Sequence, residues 1–173
     1  MEISTYKIRK KFLLPLGLVV LLSFTLLISA IYLHLPLAKI LILVVFLLPV
    51  SIIFIESSLR KIHITDDSVE IKKLFRSKRL SYTELTEIDT IQVRKRVFVS
   101  LSSENDFIIL SNSYEHFGEL LKHLVSAAPA RIVSDQIRQL ADNPPRKCSD
   151  IFSAWLAVIV LTLIIFVQLR GAV

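Results

Sequence analysis

Three stretches of this chain carry almost no charge over lengths that match the thickness of a lipid bilayer, and they limit what else it can become. Phe12 to Leu33 contains no charged residue, Leu35 to Ile55 contains only Lys39, and Ile151 to Leu169 is again uncharged between Asp150 and Arg170. At about 1.5 Å rise per residue, each run crosses a hydrocarbon layer of about 30 Å as a helix. Over the whole chain 53% of the 173 residues are hydrophobic. That is too apolar for an ordinary soluble domain of this size, so the sequence predicts three membrane spans.

The first two runs form one apolar block from Phe12 to Ile55, interrupted at His34-Leu35-Pro36. A single helix of that length would extend about 65 Å, twice the bilayer core. Proline lacks an amide hydrogen and disfavours helix in the residue before it, so "HLP" marks a fold-back between two helices. The first apolar stretch exceeds the length of a cleaved signal segment and a second follows with almost no loop, which predicts a retained anchor. The one cysteine, Cys148, excludes an intramolecular disulfide. At the mouth of the third span it reads as a small structural residue, with acylation as the alternative.

Lys and Arg set the orientation. Four precede the first span (Lys7, Arg9, Lys10, Lys11), and fifteen lie between Arg60 and Lys147, so nineteen of 21 fall on one side. That side is expected to be cytoplasmic, with the amino terminus inside and the carboxyl terminus outside. Lys39 near the outer end of its span can extend its amine to the surface. Trp155 and Tyr32 fit interfacial anchoring. "TLLIS" (Thr25, Ser29) and "SAWLA" (Ser153, Ala157) place small residues four apart, a spacing that lets helices approach closely.

Between Arg60 and Pro129 the hydrophobic period falls to two. Ile62 and Ile64 share a face, "TDDS" makes a turn, Val69 and Ile71 open a second strand, and "KRLSY" forms a short third one. "TIQVRKRVFVSL" reads either as one strand with Ile91, Val93, Val97, Val99 and Leu101 on a single face, or as two strands joined by a turn at "RKR". Phe107 to Leu110 is a compact apolar strand. Phe117, Leu120, Leu121 and Leu124 then fall on one face of a helix expected from about Tyr114 to Ala127, able to cover an antiparallel sheet.

"IHITDDSVEI", "RSKRLSYTELTEI", "VFVSL", "FIILSN" and "EHFGELLKHL" together resemble the bacterial pleckstrin-homology-like domains over about residues 57–128. The resemblance implies a small antiparallel β-roll or barrel capped by a C-terminal helix, often attached to paired transmembrane helices. It also implies a bacterial inner-membrane setting. The match is short by a strand or more, which leaves the missing strands absent or supplied by a partner. The resulting fold class is a membrane α protein with an α+β cytoplasmic part. Its expected divisions are residues 1–56 (basic N-terminus and helical hairpin), 57–129 (β domain and closing helix), 130–150 (short amphipathic helix and linker) and 151–173 (third span and external tail). Val133, Ile137 and Leu140 give the 130–150 helix an apolar edge that either lies along lipid headgroups or packs on the sheet.

Chemistry is sparse. Gly17, Gly118 and Gly171 are the only glycines, and none belongs to a phosphate-cradling loop. His116 and His123 share a helix face without further ligands at metal spacing, and no serine sits in a nucleophile elbow. The sequence therefore predicts neither enzyme, nor cofactor, nor metal site. Its most informative polar feature is a basic cluster. From Arg60 to Arg96 there are ten Lys or Arg against six Asp or Glu, whereas Val97 to Leu121 has four acidic residues and no basic ones. Lys72, Lys73, Arg76, Lys78, Arg79, Arg94 and Arg96 form a candidate surface for anionic phospholipid headgroups or a protein partner. The same charge also follows from the positive-inside bias alone. Nucleic acid is not expected, because aromatic residues are not interleaved with the basic ones. The leading functional expectation is a docking or assembly module for a membrane or cytosolic protein partner at the bilayer. The alternatives are an anionic-lipid sensor and an immunity-type protein against a pore-forming toxin.

Overall fold

The computed structural model describes residues 4–93, 96–143 and 149–170. It divides into two compact units: Met1–Arg9 with Leu59–Lys147, and Lys10–Ser58 with Cys148–Val173.

The second unit is helical. Helices α1 (Lys10–Tyr32), α2 (Leu37–Leu59) and α5 (Ser149–Arg170) are the three predicted apolar runs, each long and apolar enough to cross a membrane. Four hydroxyls along them are satisfied by their own helix: Ser23, Thr25, Ser58 and Thr162 donate to the carbonyl four residues back. Such internal pairing is what a hydrocarbon surround demands. The link between α1 and α2 is a Schellman turn. His34 takes left-handed φ of 50°, its amide donates to Ile31 O (3.1 Å), and the Leu35 amide reaches back to Ala30 O (3.0 Å). Pro36 then stands just before α2, its carbonyl accepting from the Lys39 amide at 2.9 Å. Helix α5 packs on α1, and near their C-terminal ends Gln168 Nε2 donates to Ser29 Oγ at 3.0 Å. Of the predicted small positions, Ser29 lies at this helix contact. Gly17 admits the Phe54 ring of α2, since a Cβ there would come within 3.1 Å of it.

The first unit is a pair of antiparallel sheets. One has the order β1 (Ser4–Lys7), β2 (Lys61–Ile64), β3 (Ser68–Lys72) and β4 (Ser77–Ser81). The other has β5 (Leu85–Val93), β6 (Arg96–Ser103) and β7 (Phe107–Ser111). Alternation dictates the buried set: Ile62, Val69, Val97, Val99, Leu101 and Leu110 point inward. Helix α3 (Phe117–Ala127) closes over them with Phe117, Leu120, Leu121 and Leu124. It starts three residues later than the periodicity suggests, because His116 adopts a left-handed conformation (φ 52°) that helix cannot continue through. Helix α4 (Asp135–Asp142) packs against α3, burying Ile137 and Ala141, and the Ser134 amide donates to Ile88 O on β5. Its apolar edge therefore covers sheet and helix.

Of two open readings of one segment the structure takes the second, and one strand is new. "TIQVRKRVFVSL" is not one strand: Val93 pairs with Arg96 and Ile91 with Phe98, so β5 and β6 form a hairpin. Residues directly opposite share a face, which puts Ile91 and Val93 outside while Val97, Val99 and Leu101 are inside. More consequentially, a strand precedes the first helix. Ser4–Lys7 pairs with β2 from Ser4↔Ile64 to Lys7↔Lys61, burying Tyr6. Beyond it Ile8 bridges Tyr114, the Arg9 amide donates to Ser113 O, and the Glu115 amide donates to Lys7 O. Residues 4–9 thus join the four-stranded sheet to the segment that follows the three-stranded one. The extra strand comes from this chain, ahead of the helices. Because β1 precedes α1 and its partner β2 follows α2, a bilayer crossed by one helix has to be recrossed by the other.

Tyr6 fills the core side of β1 and its hydroxyl lies 3.1 Å from His123 Nδ1. Tyr6→Ala is expected to cost about 3 kcal/mol and to speed amide exchange in β2 while leaving α1 and α2 protected. Within the helical unit, a Ser29→Ala, Gln168→Leu double-mutant cycle followed by thermal unfolding in detergent should return a coupling of about 0.5–2 kcal/mol.

Candidate functional site

Strands β3 and β4 are joined by Lys73-Leu74-Phe75-Arg76, closed by a hydrogen bond from the Lys73 amide to Arg76 O of 2.8 Å. Such turns usually carry Gly, Asn, Asp or Pro. Here a phenylalanine occupies the tip and is 89% exposed. The turn borders a groove of about 720 Å³ whose far wall is Asp106 and the start of β7, with Phe107 and Ile109.

Lys78 fastens the two walls. Its Nζ pairs with the Asp106 carboxylate, donates to Phe107 O at 2.6 Å, and lies 4.8 Å from the centre of the Phe107 ring. The hydrogen bond from Lys78 is the main reason the Asp106 carboxyl titrates below its ordinary value of 3.8. Lys78 is therefore largely committed within the fold.

The predicted basic residues that are described do not all line one groove. Lys73, Arg76 and Lys78 line this groove. Lys72 stands on the outer face of β3, 3.6 Å from Glu70. Arg79 donates to Ser68 Oγ at 2.9 Å and borders a different groove of about 850 Å³, where Glu84, Glu104, Asp106 and Arg131 mix the charge. Arg96 is exposed at the start of β6, while Arg94 lies outside the described residues, as does Cys148. Among the described residues Lys73 and Arg76 have no ion pair or side-chain hydrogen bond, which leaves their full charge available to an external anion.

A second surface escapes sequence reasoning. On the outer face of the three-stranded sheet, Ile91 is 59% exposed, Val93 55%, Phe107 57% and Ile109 52%. Ile91 stands directly opposite Phe98, and Ile109 is diagonal to it across the β6–β7 ladder. An alternating strand ordinarily turns polar residues outward. The signal was present in the unbroken apolar run Phe107-Ile108-Ile109-Leu110, which a one-faced strand does not need.

His116 lies 3.5 Å from Glu119 and His123 faces Tyr6. Among the described residues no group of three His, Cys, Asp or Glu is placed to hold a metal. Tyr82, whose buried hydroxyl has no partner among the described residues, is pushed up to about 12 by burial and by the nearby Asp66 charge. It is neutral at physiological pH. No protein-family model, curated protein or solved structure matches the chain.

Because the Asp106 carboxyl is held low when folded, the Lys78 clasp strengthens the fold above the carboxyl's ordinary value of 3.8 and ceases to do so as pH falls through the lowered one. Thermal unfolding of the natural chain and of Asp106→Asn should accordingly differ slightly at neutral pH and converge in acid.

Proposed function

We propose that the protein is a non-catalytic, three-span membrane protein whose β unit is a pleckstrin-homology-like docking module for a partner protein in a membrane complex. Two antiparallel sheets followed by a closing helix support the resemblance, and β1 supplies from the chain itself a strand that residues 57–128 lack. The positive bias of residues 60–147 and of the segment before α1 supports a reading in which the unit faces the cytoplasm at a bacterial inner membrane and the carboxyl end of α5 faces the periplasm.

The observation that carries the docking reading is the outer face of the three-stranded sheet. Ile91, Val93, Phe98 and Ile109 form a contiguous apolar area on a rigid support. Scattered apolar side chains on a surface are ordinary, but a cluster across three adjacent strands marks an interaction surface. A protein partner with an apolar patch would cover it, as the centre of a typical interface does.

A photo-crosslinking side chain placed at Ile109 should give, in cells, one discrete adduct with another polypeptide. Ile91→Asp should abolish the adduct without lowering thermal stability, since Ile91 is outside the core. Adducts with lipid alone, or none, would rule out the docking reading.

A further inference from the structure

The register of the four-stranded sheet aligns three lysines. Lys7 stands opposite Lys61, and Lys61 opposite Lys72, with Ser77 completing the row. Directly opposite residues project from the same face about 5 Å apart, and like charges so placed repel. The face is the outer one, because Tyr6, Ile62 and Ile71, each next to a lysine of the row, are buried. Only Lys72 has a carboxylate close by, Glu70 at 3.6 Å; among the described residues Lys7 and Lys61 have none. Immediately beyond the row the β3–β4 turn adds Lys73, Arg76 and the exposed Phe75. One end of the sheet thus concentrates five cations against one carboxylate, a repulsion that an external anion would relieve.

Chain connectivity says which end it is. Strand β1 finishes at Lys7 and α1 begins at Lys10, while α2 finishes at Leu59 and β2 begins at Lys61. Three residues span at most about 11 Å and two at most about 7 Å. Lys7 and Lys61 are therefore held beside the ends of two bilayer-length helices, whatever direction the sheet takes from there. Being at the same end of an antiparallel sheet, the β3–β4 turn shares that position along the strands.

We infer that this end of the sheet binds the anionic phospholipid headgroups of the bilayer that α1 and α2 cross, through Lys7, Lys61, Lys72, Lys73 and Arg76, with Phe75 entering the interfacial layer. The cations are spread along a row and a turn rather than converging on a pocket, which suits a plane of phosphates better than a single soluble anion. An aromatic ring 89% exposed is costly in water and favourable at headgroup level. Lysines close to an anionic surface each contribute to its attraction. The inference uses a different surface and a different class of partner from the docking reading, and stands without it.

The chain has one tryptophan, so Trp155→Phe combined with Phe75→Trp makes residue 75 the sole reporter. The full-length protein is reconstituted in nanodiscs of phosphatidylcholine with and without phosphatidylglycerol, one or the other lipid being brominated. Emission from position 75 is expected to shift to the blue and to be quenched more by brominated phosphatidylglycerol than by brominated phosphatidylcholine. Added salt should weaken that preference. Replacing Lys7, Lys61 and Lys72 by Gln should lower it by up to about fivefold per lysine, while replacing them by Arg should preserve it. If the Gln triple variant unfolds, Lys7→Gln and Lys61→Gln singly carry the same expectation. Equal quenching by both lipids would overturn the inference. So would quenching by aqueous iodide with none by bromolipid, as expected of a protein-facing or free tip.

Discussion

Everything in the β unit depends on one short ladder, the pairing of Ser4–Lys7 with Lys61–Ile64. Residues more than fifty apart in sequence, separated by two apolar helices, become neighbours in a sheet. The ladder covers what would otherwise be an exposed edge of β2, and through Tyr6 and Ile8 it contributes two buried side chains to the core. The same six-residue segment reaches Ser113, Tyr114 and Glu115, so one piece of chain holds both sheets. Backbone hydrogen bonds fix the direction and apolar burial supplies the favourable free energy.

The organisation was legible wherever the physics is local. Length and absence of charge are enough to define helices long and apolar enough to cross a bilayer, and α1, α2 and α5 lie where those criteria put them within a few residues. Period-two alternation identified β2 and β3, "KRLSY" gave β4, the compact apolar run from Phe107 to Leu110 gave β7, and the helical spacing of Phe117, Leu120, Leu121 and Leu124 identified α3. Strand β1 could not be read this way. Four residues ending in a lysine and followed by Arg9, Lys10 and Lys11 look like a membrane-flanking tail, and only a partner strand beyond the hairpin makes them a strand. The "RKR" ambiguity was equally non-local. Both readings satisfy the alternation, and the hairpin wins because it pairs β5 with β6 over eight residue pairs of backbone ladder that a lone strand could not make, with one face of each turned to a common core.

The site was legible in composition and hidden in arrangement. Seven basic residues close in sequence suggested one surface, yet sheet geometry sends neighbours to opposite faces and distributes them. Lys78 is taken up by Asp106, Arg79 borders a groove of mixed sign, and Lys73 and Arg76 remain available. Lys7 and Lys61 drew no notice as a pair, because only the register places them together with Lys72. Conversely, the outward-facing Ile91, Val93 and Ile109 would each pass as core residues by type. Which face a side chain occupies is decided by pairing, and pairing is a property of the whole unit.

The split of the sheet by a helical hairpin also imposes an order on biogenesis. When β1 leaves the ribosome its partner does not exist, and Lys61 lies 54 positions after Lys7. Translation of that interval takes on the order of several seconds, during which both helices are made. In the three-span arrangement proposed above, Tyr6 and Ile8 must wait, uncovered, until α1 and α2 have returned the chain to the side on which it started. Sheet closure is thereby conditional on correct insertion: a nascent chain whose second helix failed to cross would leave β1 and β2 on opposite faces of the bilayer, with an unpaired edge open to proteolytic quality control.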